Sequence, residues 1–232
     1  MKEKNMVMLE FTGKEVSSGR IFDTTSEATA KQNGLYREGG VFRAIPVIVG
    51  NGDVLSGLDE ALKEMREGET KKVRLSPEKA FGNRKSNLIV VVPLQEFRTR
   101  KIQPVPGLIV DLNGNYGRVQ TISGGRVRVD LNNDLAGKEV EYEIKITKEI
   151  TDLKEKADLL TQKFFPLRNE KVQTKIENDV LKLKFPSKEI AKQLTPLIVP
   201  FTQSMKQALP EIKSVEMDDS FEEKPKKENK KE

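Results

Sequence analysis

The chain has no cysteine, no histidine and no tryptophan among its 232 residues. Without thiols or imidazoles it forms no disulfide, offers no thiol nucleophile or imidazole base, and builds no zinc site of the Cys/His kind. Aromatic residues are scarce, at 6%. No apolar run approaches the roughly 18 to 20 residues of a membrane-spanning helix, and the opening MKEKNMVML lacks the apolar segment of a signal peptide. A cytoplasmic location is therefore expected, with no membrane, metal or cofactor. What is abundant is charge: 33% of the residues are charged against 36% hydrophobic, a balance that suits a soluble protein of modest core. The length allows more than one domain. Between Arg84 and Asp130 eight basic residues face three acidic ones, an excess as large as the whole chain's net +5. A nucleic-acid protein would carry a denser basic stripe, so no nucleic-acid partner is expected, and the lysine-rich end reads as a solubilising tail.

Local signals agree best from Gly50 to Gly82. Ser56, with Asp59 three residues on, is the predicted N-cap of a helix whose Leu58, Leu62 and Met65 make one apolar face. Gly68 ends it, and Thr70 to Leu75 alternates Val73 and Leu75 with charges, the pattern of a half-buried strand. Earlier, Val7 to Val16 and Arg20 to Asp23 form a predicted hairpin, followed by a polar loop with one helical turn over Ser26 to Gly40 and an edge or bulged strand over Phe42 to Val49 broken at Pro46.

Later, Leu88 to Val92 is β-branched, and strands over Leu108 to Leu112, Gly117 to Ile122 and Arg126 to Asp130 are joined at Asn113-Gly114 and Gly124-Gly125. Val140 to Ile146 is a further strand. Thr151 to Phe165 has helical spacing, and a hairpin turns at Asn178-Asp179. A helix over Ser187 to Leu209 must kink or split at Pro196 and Pro200, and a strand over Ile212 to Met217 can follow. Residues 221–232 form a charge-mixed tail, expected to be disordered.

The ordered run Val54, Leu55, Gly57, Leu58, Ala61, Leu62, Met65, Gly68, Glu69, Pro77, Ala80, Phe81, Gly82 resembles the FKBP-type peptidyl-prolyl isomerases. Phe11-Thr12-Gly13 and Phe22-Asp23 fit two further motifs of that family. The segment before Val140, ending in Leu135-Ala136-Gly137-Lys138, is similar to the insert-in-flap domain of the SlyD-like branch, in the long form with an extra C-terminal domain. The implied class is α+β: an FKBP-like antiparallel sheet wrapped on a short helix, an inserted small β-domain, and a C-terminal unit of αββαβ order. The implied division is 1–83 with 132–150 for the isomerase unit, 84–131 for the insert and 151–220 for the C-terminal unit.

The resemblance implies an apolar cavity walled by Phe11, Phe22, Ile45, Val54, Leu55, Leu58, Phe81 and Tyr142. Asp23 would sit at the rim, and the Leu55 backbone N–H would donate to a substrate carbonyl. An X-Pro amide needs no acid, base or nucleophile to rotate; the barrier is roughly 18 to 20 kcal/mol, set by amide resonance. A chain without His or Cys can lower it by desolvation. Three positions depart from the family: Leu58 stands where Trp is usual, Phe81 where Tyr is usual, and Phe11 lacks a hydroxyl. Weak or no binding of macrolide inhibitors is therefore expected. SlyD proteins end in a metal-binding His/Cys tail; EEKPKKENKKE is not one, so no comparable nickel or zinc binding is expected.

The insert offers a second candidate site, in which Leu88, Ile89, Val90, Val105, Leu108 and Ile109 hold extended unfolded or proline-containing polypeptide. The same residues could instead fill the insert's own core. In the C-terminal unit, Ile190, Leu194, Leu197, Ile198 and Phe201 form an apolar face larger than a small domain easily hides, so homodimerisation there is expected. The expected function is prolyl isomerisation with chaperone activity. A non-catalytic holdase and a ribosome- or RNA-associated protein are the open alternatives.

Overall fold

The computed structural model describes residues 4–167 and 170–218. The tail expected over 221–232 lies outside them. The first sheet gathers β1 (Met6–Glu15), β2 (Ile21–Thr24), β3 (Ile45–Ile48), β4 (Thr70–Leu75) and, from beyond the insert, β9 (Val140–Ile150). All its pairings are antiparallel, and β1 is central: β9 runs along one edge, while β3 and β2 share the other. Tracts rich in valine and isoleucine supply these strands, and Pro46 lies in β3, which pairs only with β1. Between β2 and β3, Ser26 caps α1 (Glu27–Gln32), and between β3 and β4 lies α2 (Ser56–Glu64).

The period of two in β1 sets the layering. Val7 and Leu9, with Val47, Ile144 and Ile146, face α2, whose Leu58 and Leu62 are buried against them together with Met65. Met6, Ile48 and Ile150 point to the opposite side and join the core of the C-terminal unit. A register shift between Met8 and Leu9 leaves Thr147 unpaired, and this lets β9 serve both faces.

The predicted cap of α2 is a correction. Leu55, in extended conformation, is the N-cap, and Ser56 is already helical, its hydroxyl donating to the Lys79 carbonyl. Asp59 caps nothing in its own helix. Its carboxylate instead accepts the backbone N–H groups of Gly50 (2.8 Å) and Gly52 (3.4 Å), fastening the preceding loop.

The insert forms its own antiparallel sheet of β5 (Ile89–Pro93), β6 (Ile109–Leu112), β7 (Asn115–Ser123) and β8 (Arg126–Asp130), in the order β5-β8-β7-β6. Both glycine turns have positive φ at their two central residues, as two-residue hairpins require. Sequence periodicity does not reveal α3 (Leu94–Thr99), which at six residues is too short to show it. Its Phe97 plugs the insert's core beside Val119, Val127 and Val129.

In the C-terminal unit, α4 (Leu153–Phe164) is capped by Asp152. The hairpin of β10 (Gln173–Glu177) and β11 (Val180–Lys184) follows. The long helix splits into α5 (Lys188–Leu194), a 3-10 turn containing Pro196, and α6 (Ile198–Ala208), and β12 (Ser214–Met217) then pairs parallel with β11. The apolar face expected to pair two copies is largely used internally. Phe201 is 1% exposed against Phe164 and Phe165, and Ile190, Leu194 and Ile198 pack on the same core, whereas Leu197 and Val199 stay exposed.

Candidate functional site

The loop before α2 and the β1–β2 hairpin converge on a cavity of about 500 Å³. Their local order explains why it is open and fixed. Asp59 ties Gly50 and Gly52, and Asp53 accepts the Ile48 N–H (3.0 Å) and pairs with Lys163 of α4 (3.0 Å), so the chain reaches Val54 and Leu55 in one arrangement. On the opposite wall, the Phe11 N–H donates to the Thr25 hydroxyl and the Thr25 N–H returns to the Phe11 carbonyl. The next pair, Thr12 and Thr24, shares a hydroxyl contact of 2.8 Å.

Of the nine residues assigned to the cavity, Phe11, Asp23, Ile45, Val54, Leu55, Leu58, Phe81 and Tyr142 line it together. Phe22 stands behind them, edge-on to Phe81 (5.7 Å) and to Tyr142 (5.6 Å). Gly52 and Asp53 also line the cavity and were not anticipated. Their position next to Val54 was the available signal. Gly13, quoted only as part of a motif, has a steric reason to be glycine, since a Cβ there would lie 2.7 Å from the Tyr142 ring and 2.9 Å from Phe22.

Electrostatically the cavity is quiet. Desolvation raises the Asp23 carboxyl above its ordinary range, against the lowering effect of the Thr24 backbone N–H. Tyr142 is 4% exposed; burial first, and the Asp23 charge second, push its phenol upward, so it stays neutral. The Leu55 backbone N–H finds no acceptor among the described residues. A hydrophobic cleft with Asp23 at its rim, Asp53 already paired with Lys163, and one uncommitted N–H can orient an amide and exclude water from it.

The six insert residues do not form one surface. Val90 and Leu108 pack inward on the insert's own core, Leu88 and Ile89 are half-buried, and Val105 and Ile109 are exposed. Alternation along β5 turns Val90 and Val92 inward and leaves Val91 60% exposed beside Arg128. Ile109 lies in the row of Ile89, Asp130 and Arg118, and Tyr116 (71% exposed) lies further along β7 opposite Asp111. Where the insert leaves the first sheet, Asp130, 2% exposed, collects hydrogen bonds from Arg84, Gln120 and Asn132. Burial opposes ionisation there, but the Asn132 and Arg84 donors outweigh it and hold the carboxyl below its usual range.

A sheet wrapped on one short helix, with an apolar cleft at the helix start and a second β unit spliced in before the last strand, defines the class of insert-bearing FKBP-type prolyl isomerases. Residues 1–96 match the family FKBP-type peptidyl-prolyl cis-trans isomerase, and residues 90–135 match the family FKBP26, IF domain. The chain is 34% identical over 128 residues to a short-type peptidyl-prolyl cis-trans isomerase of Methanocaldococcus jannaschii, covering 82% of that protein and 55% of this one. It is 28% identical over 103 residues to a probable FKBP-type 16 kDa peptidyl-prolyl cis-trans isomerase of Pseudomonas fluorescens, covering 67% of it and 42% of this chain. It is also 28% identical over 102 residues to SlyD of Helicobacter pylori, covering 55% of it and 43% of this chain. Among solved structures, the crystal structure titled AtFKBP13 superposes with a TM-score of 0.35 at 15% identity, over 64% of this chain and 82% of that one. The chain belongs to the FKBP-type peptidyl-prolyl cis-trans isomerase family.

Proposed function

We propose that the chain isomerises X-Pro bonds of unfolded or partly folded polypeptides in the cavity between Phe11 and Tyr142, while the insert holds the client chain. One observation carries the catalytic half: eight of the nine assigned side chains surround a single, mainly apolar cavity, with Asp23 at its rim and Asp53 engaged by Lys163. Each tenfold acceleration needs about 1.4 kcal/mol off the rotation barrier. Removing water from the planar, charge-separated amide favours its twisted state, and the Leu55 N–H can hold the neighbouring carbonyl in place. No proton changes hands. Leu58 gives the floor an aliphatic side chain, and Phe81 and Phe11 offer no hydroxyl, so a ligand relying on such a donor loses about 0.5 to 1.5 kcal/mol. Macrolide binding is weak for that reason.

For the insert, the exposed Val91, Ile109 and Tyr116 among Arg118 and Arg128 give apolar contact area bordered by positive charge. Among the described residues its outer strands β5 and β6 pair on one side only, so an extended client can add along an edge. A prolyl tetrapeptide assay tests the enzyme: no acceleration over buffer leaves only a holdase. Refolding of a proline-limited protein, with and without residues 84–131, tests the insert. The Gly137 N–H meets the Gly82 carbonyl at 2.8 Å, so a short turn can close the gap left by excision. Loss of refolding activity with tetrapeptide turnover kept supports the division of labour, and equal loss of both refutes it. Pairing of two copies through Leu197, Val199 and the open edges of the β10-β11-β12 sheet is the proposed assembly, checked by solution mass.

A further inference from the structure

Next to the isomerase cavity the fold leaves a second hollow, of about 380 Å³, between the segment 41–46 and α4 of the C-terminal unit. Met8, Val41, Ile45 and Leu159 make it apolar, and Asp53 and Lys163 close one side. Ile45 and Asp53 line both hollows, which are therefore direct neighbours. A third, of about 520 Å³, continues past the end of α4, and Val41, Arg43 and Gln162 line it as well as the second. Together they make a trough that starts at the isomerase cavity and crosses the flank of the C-terminal unit. Its apolar wall is accessible, with Val41 69% exposed. The Lys163 charge is answered by Asp53, but Arg43 has no carboxylate partner among the described residues.

We propose that this trough is a specificity subsite for the polypeptide flanking the substrate proline. It takes an aliphatic or aromatic side chain into the hollow of Met8, Val41 and Leu159, with an acidic side chain against Arg43. The proposal rests on the isomerase reading of the adjoining cavity. Continuity identifies the occupant: a chain seated with its proline in the first hollow must leave it, and the trough is an open path beside it with a matching apolar floor and the Arg43 guanidinium, with Glu170 and Lys171 lying further along in the third hollow. An extended chain advances about 3.3 to 3.6 Å per residue, so the second hollow is within reach about two to four residues from the proline. On this view the C-terminal unit selects substrate through Leu159 and Gln162, in addition to packing on the sheet.

The experiment compares a blocked prolyl tetrapeptide, which carries no side chain suited to the trough, with a longer peptide carrying Phe and Glu within that reach of its proline. Val41→Asp combined with Arg43→Glu alters exposed side chains outside the isomerase cavity. The double variant is expected to turn over the tetrapeptide within about twofold of the parent. For the longer peptide, KM should rise about fivefold to tenfold with kcat kept, the signature of lost uniform binding. No change for the longer peptide, or equal change for both, overturns the subsite. Failure of the parent chain on the tetrapeptide would sink the isomerase reading itself, so a second measurement reads the trough without turnover. The chain has no native cysteine, so Gln162→Cys offers a single thiol to peptides bearing a haloacetyl group before or after the proline. Labelling from one side only supports the trough, and labelling from both sides or neither overturns it.

Discussion

Replacing Gly13 by alanine separates two opposing effects behind the cavity wall, where Gly13 packs on Tyr142 and Phe22. Gly13 lies in β1 without a positive φ, so alanine suits its backbone, and by entropy alone the change would stabilise by roughly 0.4 to 1 kcal/mol. The new methyl, however, would stand 2.7 Å from Tyr142 Cε1 and 2.9 Å from Phe22 Cζ, where carbon atoms prefer about 3.5 to 4.0 Å. Both rings must therefore retreat by about 1 Å. Neither is free to do so: Tyr142 is 4% exposed on β9, and Phe22 is held edge-on by Phe81 and Tyr142. Overpacking of this kind costs about 1 to 3 kcal/mol, which exceeds the entropic gain. At mid-range the net cost is about 1.3 kcal/mol, so thermal unfolding should fall by roughly 3 to 5 °C. Since Tyr142 lines the cavity, a displacement of that size should lower kcat/KM on a prolyl tetrapeptide by about 10-fold to 100-fold, with far-UV circular dichroism preserved. A Gly13→Ala protein with unchanged melting and turnover within twofold would refute the placement of these rings.

Phe81→Tyr restores a hydroxyl at the cavity wall, and macrolide affinity measured by titration should tighten by about 2-fold to 10-fold; an unchanged affinity means that the hydroxyl does not reach the ligand. Asp130→Ala removes the acceptor shared by Arg84, Gln120 and Asn132, and should cost roughly 1.5 to 3 kcal/mol while raising hydrogen exchange around residues 84–90 more than in β1. Because the Asp130 carboxyl is held below its unfolded value of 3.8, its stabilisation is complete above that pH and is lost as acid titrates it through the lower folded value. Acid unfolding of the wild type, but not of Asp130→Ala, should show that step. Asp23 has the opposite sign. Its raised carboxyl destabilises the fold while ionised, so its contribution to stability improves as pH falls through the raised value, and Asp23→Asn should remove that dependence from melting curves.

Much of the fold was legible because it is written in local chemistry. Alternating valines and isoleucines announced the strands, and Asn113-Gly114, Gly124-Gly125 and Asn178-Asp179 announced three hairpins, since few residues accept positive φ at both central positions. The ordered run from Val54 to Gly82 brought the cavity residues into view through resemblance. The helix cap failed because Ser56 and Asp59 carry cap chemistry at the right spacing, yet both side chains found better partners outside the helix, in Lys79 and in the loop at Gly50. The facing of the insert residues was not legible for a related reason. A run of four β-branched side chains does not say which face is inward until a second strand fixes the register, and β8 turned Val90 inward and Val91 out.

By itself, then, the sequence determined that no imidazole or thiol takes part in the chemistry, because neither is present, and it determined the strand and turn pattern, because those depend on neighbours a few residues apart. Only the tertiary structure decided what depends on distant segments meeting. The opposite face of the first sheet is covered by the C-terminal unit, Asp53 is joined to Lys163, and the cavity is flanked by a trough along α4. Those contacts join residues more than 100 positions apart, and a pattern read along one chain carries no record of them until side chains compete for the same space.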